Sequence, residues 1–184
     1  PEELALKRKS LLSRGLPPIY DREGLNLSDE QKAKYEAQGR SARWRFKLNH
    51  APIEWHDHIR GLVKFEGAQM ADPVLIREDG RPLYHLCSVI DDLDYNITHV
   101  VRGEDHVSNT ASHIQMFEAI IEAENKGTMP EFAHLPLISD KEGGKLSKRL
   151  GSLSVKDIRE VDGIEPMAIV SLMSRLGTSD PIEA

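Results

Sequence analysis

Ile97-Thr98-His99-Val100-Val101-Arg102-Gly103-Glu104-Asp105-His106 is the stretch that decides the fold. The run from Ile97 to Val101 is short, apolar and β-branched, which predicts a strand. A polar turn with one glycine follows, and Ser108 just beyond it is a good helix N-cap. Ala111, Ile114, Phe117 and Ile121 then recur at helical spacing, which predicts a helix to about Glu124. A further strand is expected from Phe132 to Ile138. Strand, loop, helix, strand is the grammar of a parallel α/β sheet. Ligands of such sheets bind beyond the carboxyl ends of the strands. Arg102 to His106 stand at one such end. Arg102 can clamp a carboxylate through two parallel hydrogen bonds. Glu104 or Asp105 can pair with an ammonium group. A surface salt-bridge cluster is the plainer account of the same five residues.

The next strand end leads into Gly143-Gly144-Lys145-Leu146-Ser147-Lys148-Arg149. Glycines let a loop bend close to a ligand. Lysines supply mobile point charges for phosphate oxygens, and arginine supplies a fork. A cationic loop beyond a strand end suits a nucleoside triphosphate whose phosphates gain charge during reaction. Taken alone, the same residues describe a solvated basic turn. The two clusters can face one crevice.

Upstream, Pro1-Glu2-Glu3 opens a helix, with acids at the positive end of its dipole, and Gly15 ends it. Ser28 and Gln31 form a capping-box pattern for a second helix that Gly39 closes. Trp44, Phe46 and Leu48 then alternate with Arg43, Arg45 and Lys47, the period of a half-buried strand with a cationic outer face. Ile59 to Phe65 is expected to be another strand. His56 and His58 point to one side of any strand there, but the sequence offers no third metal ligand nearby. Val74-Leu75-Ile76 and Leu83-Tyr84-His85 flank Asp79-Gly80, a hairpin signal. Downstream of the basic loop, Ser154 opens a short helix and Pro166 begins another.

The totals bound the class. Hydrophobic content of 39% and charged content of 29% are those of a globular protein. No apolar run reaches membrane length, so no membrane partner is expected. A single cysteine, Cys87, excludes an internal disulfide and suits a reducing, cytoplasmic setting. The net charge of −6 argues against a uniformly basic nucleic-acid binder. Residues 1–64, however, hold 13 Lys/Arg against 9 Asp/Glu. A positive first third can touch a polyanion through local patches, although ordinary helix-face charge explains it equally well.

The run from Pro73 through Gly151 resembles glutamyl-tRNA synthetases of the bacterial type, a family of class I aminoacyl-tRNA synthetases. Asp79-Gly80-Arg81-Pro82-Leu83-Tyr84-His85-Leu86, Val89-Ile90-Asp91-Asp92, Val101 to His106, His134-Leu135-Pro136-Leu137 and Lys145 to Arg149 carry the resemblance by order and spacing. The last is similar to the signature usually quoted as KMSKS. The resemblance implies an α/β fold, the second half of a class I synthetase Rossmann-like nucleotide-binding fold, as residues 73–150. It implies an α+β insertion that binds the tRNA acceptor end as residues 1–72. Residues 151–184 resemble the start of the helical stem-contact domain.

The resemblance also implies a reaction. Glutamate and ATP, the latter with Mg2+, form glutamyl-adenylate, and the acyl group moves to tRNA(Glu); tRNA(Gln) is a second candidate acceptor. Lys148 matches the catalytic lysine that neutralises the triphosphate, and Lys145, Leu146, Ser147 and Arg149 belong to the same ATP-binding loop. Tyr84, Ser88, Arg102 and His106 match positions around the bound glutamate, with Arg102 on its side-chain carboxylate. A monomer is expected. Two departures qualify this. No HIGH-type histidine signature precedes Pro1, so the chain by itself is expected to hold half an active site and to be inactive alone. The stretch Tyr20-Asp21-Arg22-Glu23 lacks the cysteines that hold zinc in some members, so no zinc and no other metal site is expected. The alternatives are a tRNA(Gln)-preferring or non-discriminating paralogue and a noncatalytic ATP- or tRNA-binding module.

Overall fold

The computed structural model describes residues 2–138 and 155–175. The chain divides into two compact units, Pro1–Pro136 and Leu137–Ala184. In the first unit, helix α1 (Glu2–Ser13) and helix α2 (Asp29–Ala37) precede the strands. Ser28 and Gln31 close the expected capping box, each side chain bonding the other's backbone N–H. Strands β1 (Trp44–Arg45), β2 (Ile53–Asp57), β3 (Gly61–Phe65) and β4 (Val74–Ile76) come next. Helix α3 (Tyr84–Asp94), strand β5 (His99–Gly103), helix α4 (Val107–Glu124) and strand β6 (Glu131–Leu135) complete the unit. In the second unit, α5 (Val155–Glu160) and α6 (Pro166–Arg175) are helical, the latter with proline at its first position as expected.

The main sheet has the order β3-β2-β6-β5. β5 and β6 run parallel with α4 as their crossover, as the α/β pattern predicts. β2 is parallel to β6, and β3 is antiparallel to β2. The sheet therefore draws strands from both sides of residue 72. Alternation along β2 sends Ile53, Trp55 and Asp57 inward. Ile53 and Trp55 pack with Phe132, Val89 of α3 and Ala111, Ile114 and Phe117 of α4. The helix face predicted from its spacing is thus the face that is buried.

Four local expectations give way to stronger constraints. Arg43, Arg45 and Lys47 do not form one outer face. The β1–β4 register shifts between Trp44 and Arg45, and such an irregularity reverses the alternation. Trp44 is left 67% exposed. Arg45 turns inward, donating to Asp72 O at 2.6 Å with its guanidinium over the Tyr20 ring. The Asp79-Gly80 turn forms, but only one bridge, Ile76 to Pro82, follows it. Pro82 has no N–H to extend a ladder, and Tyr84 already starts α3. Ser108 does not cap α4, because a 3-10 turn over Glu104–His106 brings the helix start forward to Val107. Finally, β2 is a strand of its own, and Ile59 lies in the turn before β3. Gly61 there takes φ +71°, open to glycine at little cost. At Gly67 a Cβ would come within 2.2 Å of Ala51 O, so a side chain is excluded by backbone contact.

Candidate active site

Arg102 lies near the carboxyl end of β5, and its register partner on β6 is His134. Its Nε–H donates to His134 Nε2 at 3.3 Å, and Nη2 donates to Thr110 Oγ1 at 2.5 Å. Nη1 donates to the Tyr84 hydroxyl at 2.8 Å. The Tyr84 hydroxyl in turn meets His106 Nδ1 at 3.2 Å, and Asn109 Nδ2 meets the same nitrogen at 3.0 Å. A guanidinium has five N–H donors. The three contacts hold the plane and leave one N–H on each terminal nitrogen, the pair that grips a carboxylate. Tyr84 is 46% exposed, so this side of the cluster is open to solvent.

The inner side is closed. Asp57 and His134 are both fully buried. His134 Nδ1–H donates to Asp57 Oδ2 at 2.5 Å, and its backbone N–H donates to Asp57 Oδ1 at 3.1 Å. The backbone N–H groups of Ile59 and Arg60 also donate to Oδ1. Burial alone would raise the Asp57 carboxyl, but the hydrogen bonds from His134 and these amides outweigh it and hold it well below the usual carboxylate range. An ionised Asp57 keeps the proton on His134 Nδ1. Nε2 then offers its lone pair to Arg102 and to the Thr110 hydroxyl, 2.9 Å away. The orientation of Arg102 is thereby tied to the β2–β3 turn. A second tie is the Arg60–Glu104 pair at 2.5 Å, which occupies one carboxylate proposed from sequence for an ammonium.

Behind Tyr84, His85 Nδ1 meets His113 Nε2 at 3.0 Å. Burial, then the charges of Arg102, His85 and His106, push His113 down to about 3. The unfolded imidazole takes up its proton near pH 6.5. Between those values the unfolded chain binds more protons, so stability falls as the pH falls. Denaturant unfolding from about pH 6 to 4.5 is expected to lose up to about 1.4 kcal/mol per pH unit from this group. His113→Asn should flatten that slope; an unchanged slope would show that His113 is not the titrating group.

Of the residues expected around glutamate, the fold joins Tyr84, Arg102 and His106 in one network. Ser88 is half-buried on the same face of α3, one turn beyond Tyr84, and outside that network. Lys145, Leu146, Ser147, Lys148 and Arg149 lie outside the described residues. Asp57, Thr110 and the role of His134 were not found from sequence. On the other face of the sheet, His58, His99 and Glu131 bring their ligand atoms within 4.8 Å of one another.

A parallel strand end with an oriented arginine, reached through a helical crossover, is the position at which parallel α/β sheets bind their ligands. Residues 1–183 match the family described as "tRNA synthetases class I (E and Q), catalytic domain", and the chain belongs to that family. It is 62% identical over 183 residues to a glutamate–tRNA ligase of Azospirillum brasilense, covering 100% of this chain and 40% of the relative. It is 56% identical over 182 residues to glutamate–tRNA ligase 1 of Rickettsia rickettsii (strain Sheila Smith), covering 99% and 39%. Among solved structures, a glutamate-tRNA synthetase from Elizabethkingia anophelis superimposes with a TM-score of 0.68 at 36% identity, covering 82% of this chain and 31% of that one. The chain spans about 40% of the length of the curated relatives it matches. No helix among the described residues is long and apolar enough to cross a membrane.

Proposed function

We propose that the protein carrying this chain is a glutamate–tRNA ligase. Glutamate's α-carboxylate attacks the α-phosphorus of ATP, pyrophosphate leaves, and the acyl group passes from the adenylate to the terminal ribose of tRNA(Glu). The observation that carries the reading is the guanidinium of Arg102, held on three sides with one donor left on each terminal nitrogen. That is a receptor for the side-chain carboxylate of glutamate, and an uncharged amide gains less from it. Tyr84 and His106 frame the open side, and Ser88 contributes a hydroxyl from the same helix face. Lys148, with Lys145, Leu146, Ser147 and Arg149, serves the triphosphate, which enters as a magnesium complex held by phosphates and water. Residues 1–72 serve as the acceptor-end insertion, 73–150 as the second catalytic half and 151–184 as the start of the stem-contact domain. The protein works as a cytoplasmic monomer.

Glutamate-dependent ATP–pyrophosphate exchange, run on the longer protein with tRNA present, tests this. Exchange should require glutamate and fall at least about tenfold in Lys148→Ala, which removes a charge partner of the transition state. Wild-type exchange in that variant would sink the loop assignment, and no exchange with any amino acid would sink the ligase reading. Charging tRNA(Glu) and tRNA(Gln) side by side separates the acceptors.

A further inference from the structure

We propose that His58, His99 and Glu131 form a binding site for a divalent transition cation of the zinc type. The fold brings to His58 the ligands that its sequence neighbourhood lacks. Glu131 Oε2 is hydrogen-bonded to His58 Nε2 and lies 3.8 Å from His99 Nε2. The two imidazole rings are 5.8 Å apart and tilted by 34°. Around a tetrahedral cation with bonds near 2.0–2.1 Å, ligand atoms sit about 3.3 Å apart. Small side-chain rotations reach that spacing: the His58–Glu131 contact opens and the His99–Glu131 contact tightens.

The backbones beneath the three side chains are fixed. His99 and Glu131 are register partners on β5 and β6. Glu131 N–H donates to Thr98 O at 2.8 Å, and His58 N–H donates to Phe132 O at 2.9 Å. The ring of His99 has an outer support as well, because its Nδ1 lies 2.9 Å from Thr98 Oγ1. With the proton on that nitrogen, Nε2 turns a lone pair toward a carboxylate oxygen. A cation between them converts that repulsion into ligation, and hydrogen-bonded histidines of this kind are the usual metal ligands. His99 and Glu131 also border a surface cleft of about 350 Å³, which gives water access to a fourth position.

Two imidazoles and one carboxylate suit zinc and its neighbours, whereas magnesium and calcium prefer oxygen-only sets. The cluster is not part of the arginine site. His99 and Arg102 are three residues apart on one strand, so their side chains leave opposite faces of the sheet. A cation here would staple segments far apart in the sequence and so favour the folded chain.

The test is a calorimetric titration of the metal-stripped, tag-free full chain with Zn2+ near neutral pH, paired with thermal melts. One saturable zinc per chain and a raised melting midpoint are expected, with no such effect from Mg2+. His99→Ala and Glu131→Gln should each weaken zinc at least about tenfold and cancel the thermal shift. Acidification should release the metal, because protons compete with it for the ligand nitrogens. Both side chains are exposed, and circular dichroism verifies that the variants fold. The absence of saturable zinc binding overturns the proposal. So does wild-type affinity in both variants, or binding that vanishes in Cys87→Ser while surviving in His99→Ala.

Discussion

Arg102→Ala in the longer protein is expected to lower kcat/KM for glutamate by about a hundred- to a thousandfold, the loss that follows when a half-buried, hydrogen-bonded charge partner is removed. The loss has two parts. The carboxylate of glutamate no longer meets a cation. His134 Nε2, Thr110 Oγ1 and the Tyr84 hydroxyl also lose the donor that each now faces. Arg102→Lys should recover little, because an ammonium lacks the planar fork that reaches three acceptors and still presents two donors. Glutamine, without the charge, should lose far less, so the preference for glutamate over glutamine should collapse. Steady-state kinetics with each amino acid at saturating ATP and tRNA reads both effects. An unchanged glutamate preference in Arg102→Ala would remove Arg102 from the recognition of the side chain.

Asp57→Ala is expected to destabilise the fold by about 3 kcal/mol or more, because each buried donor left without an acceptor costs about 1–3 kcal/mol. The carboxylate accepts from His134 through both oxygens and from the amides of Ile59 and Arg60. Truncation strands all of these donors in a site from which water is excluded. The effect has a pH signature. The folded-state carboxyl titrates well below its unfolded value, so its contribution is fully present above about pH 4 and is lost as the pH falls further. The gap between wild type and variant in denaturant unfolding should therefore narrow on acidification below about pH 4. A gap that is small at neutral pH, or constant with pH, would mean that Asp57 is not held as an anion by His134.

The helical crossover was legible because Ala111, Ile114 and Phe117 repeat at one period and fill one face, so tertiary packing reinforced the local pattern. The capping box was legible for a similar reason, since both of its bonds are made within four residues. β2 was not legible. Histidines and acids dilute its alternation, and its neighbours are set by β3 and by the distant β6. A signal was present all the same. Ile53, Trp55 and Asp57 share one parity, and a carboxylate in line with two large apolar residues calls for a buried partner. Arg102 could be read because an arginine after a strand has few structural duties. His134 could not be given a role, because it is one more residue in a strand until its neighbour across the sheet is known. The reversal at Arg45 came from a register shift that no local pattern encodes.

The Asp57–His134 bond also sets an order of events during synthesis. The two residues are 77 positions apart, so at roughly 5–20 residues per second the ribosome delivers the second about 4–15 s after the first. In that interval the β2–β3 hairpin can pair with itself but not with β6. Its edge toward β6 is unfinished, and the Asp57 carboxylate on its inner face has no His134 to meet. Once Glu131–Leu135 emerges and His134 arrives, the same group becomes the anchor of the finished sheet. The residue that orients the arginine in the mature protein thus joins two strands that are made seconds apart.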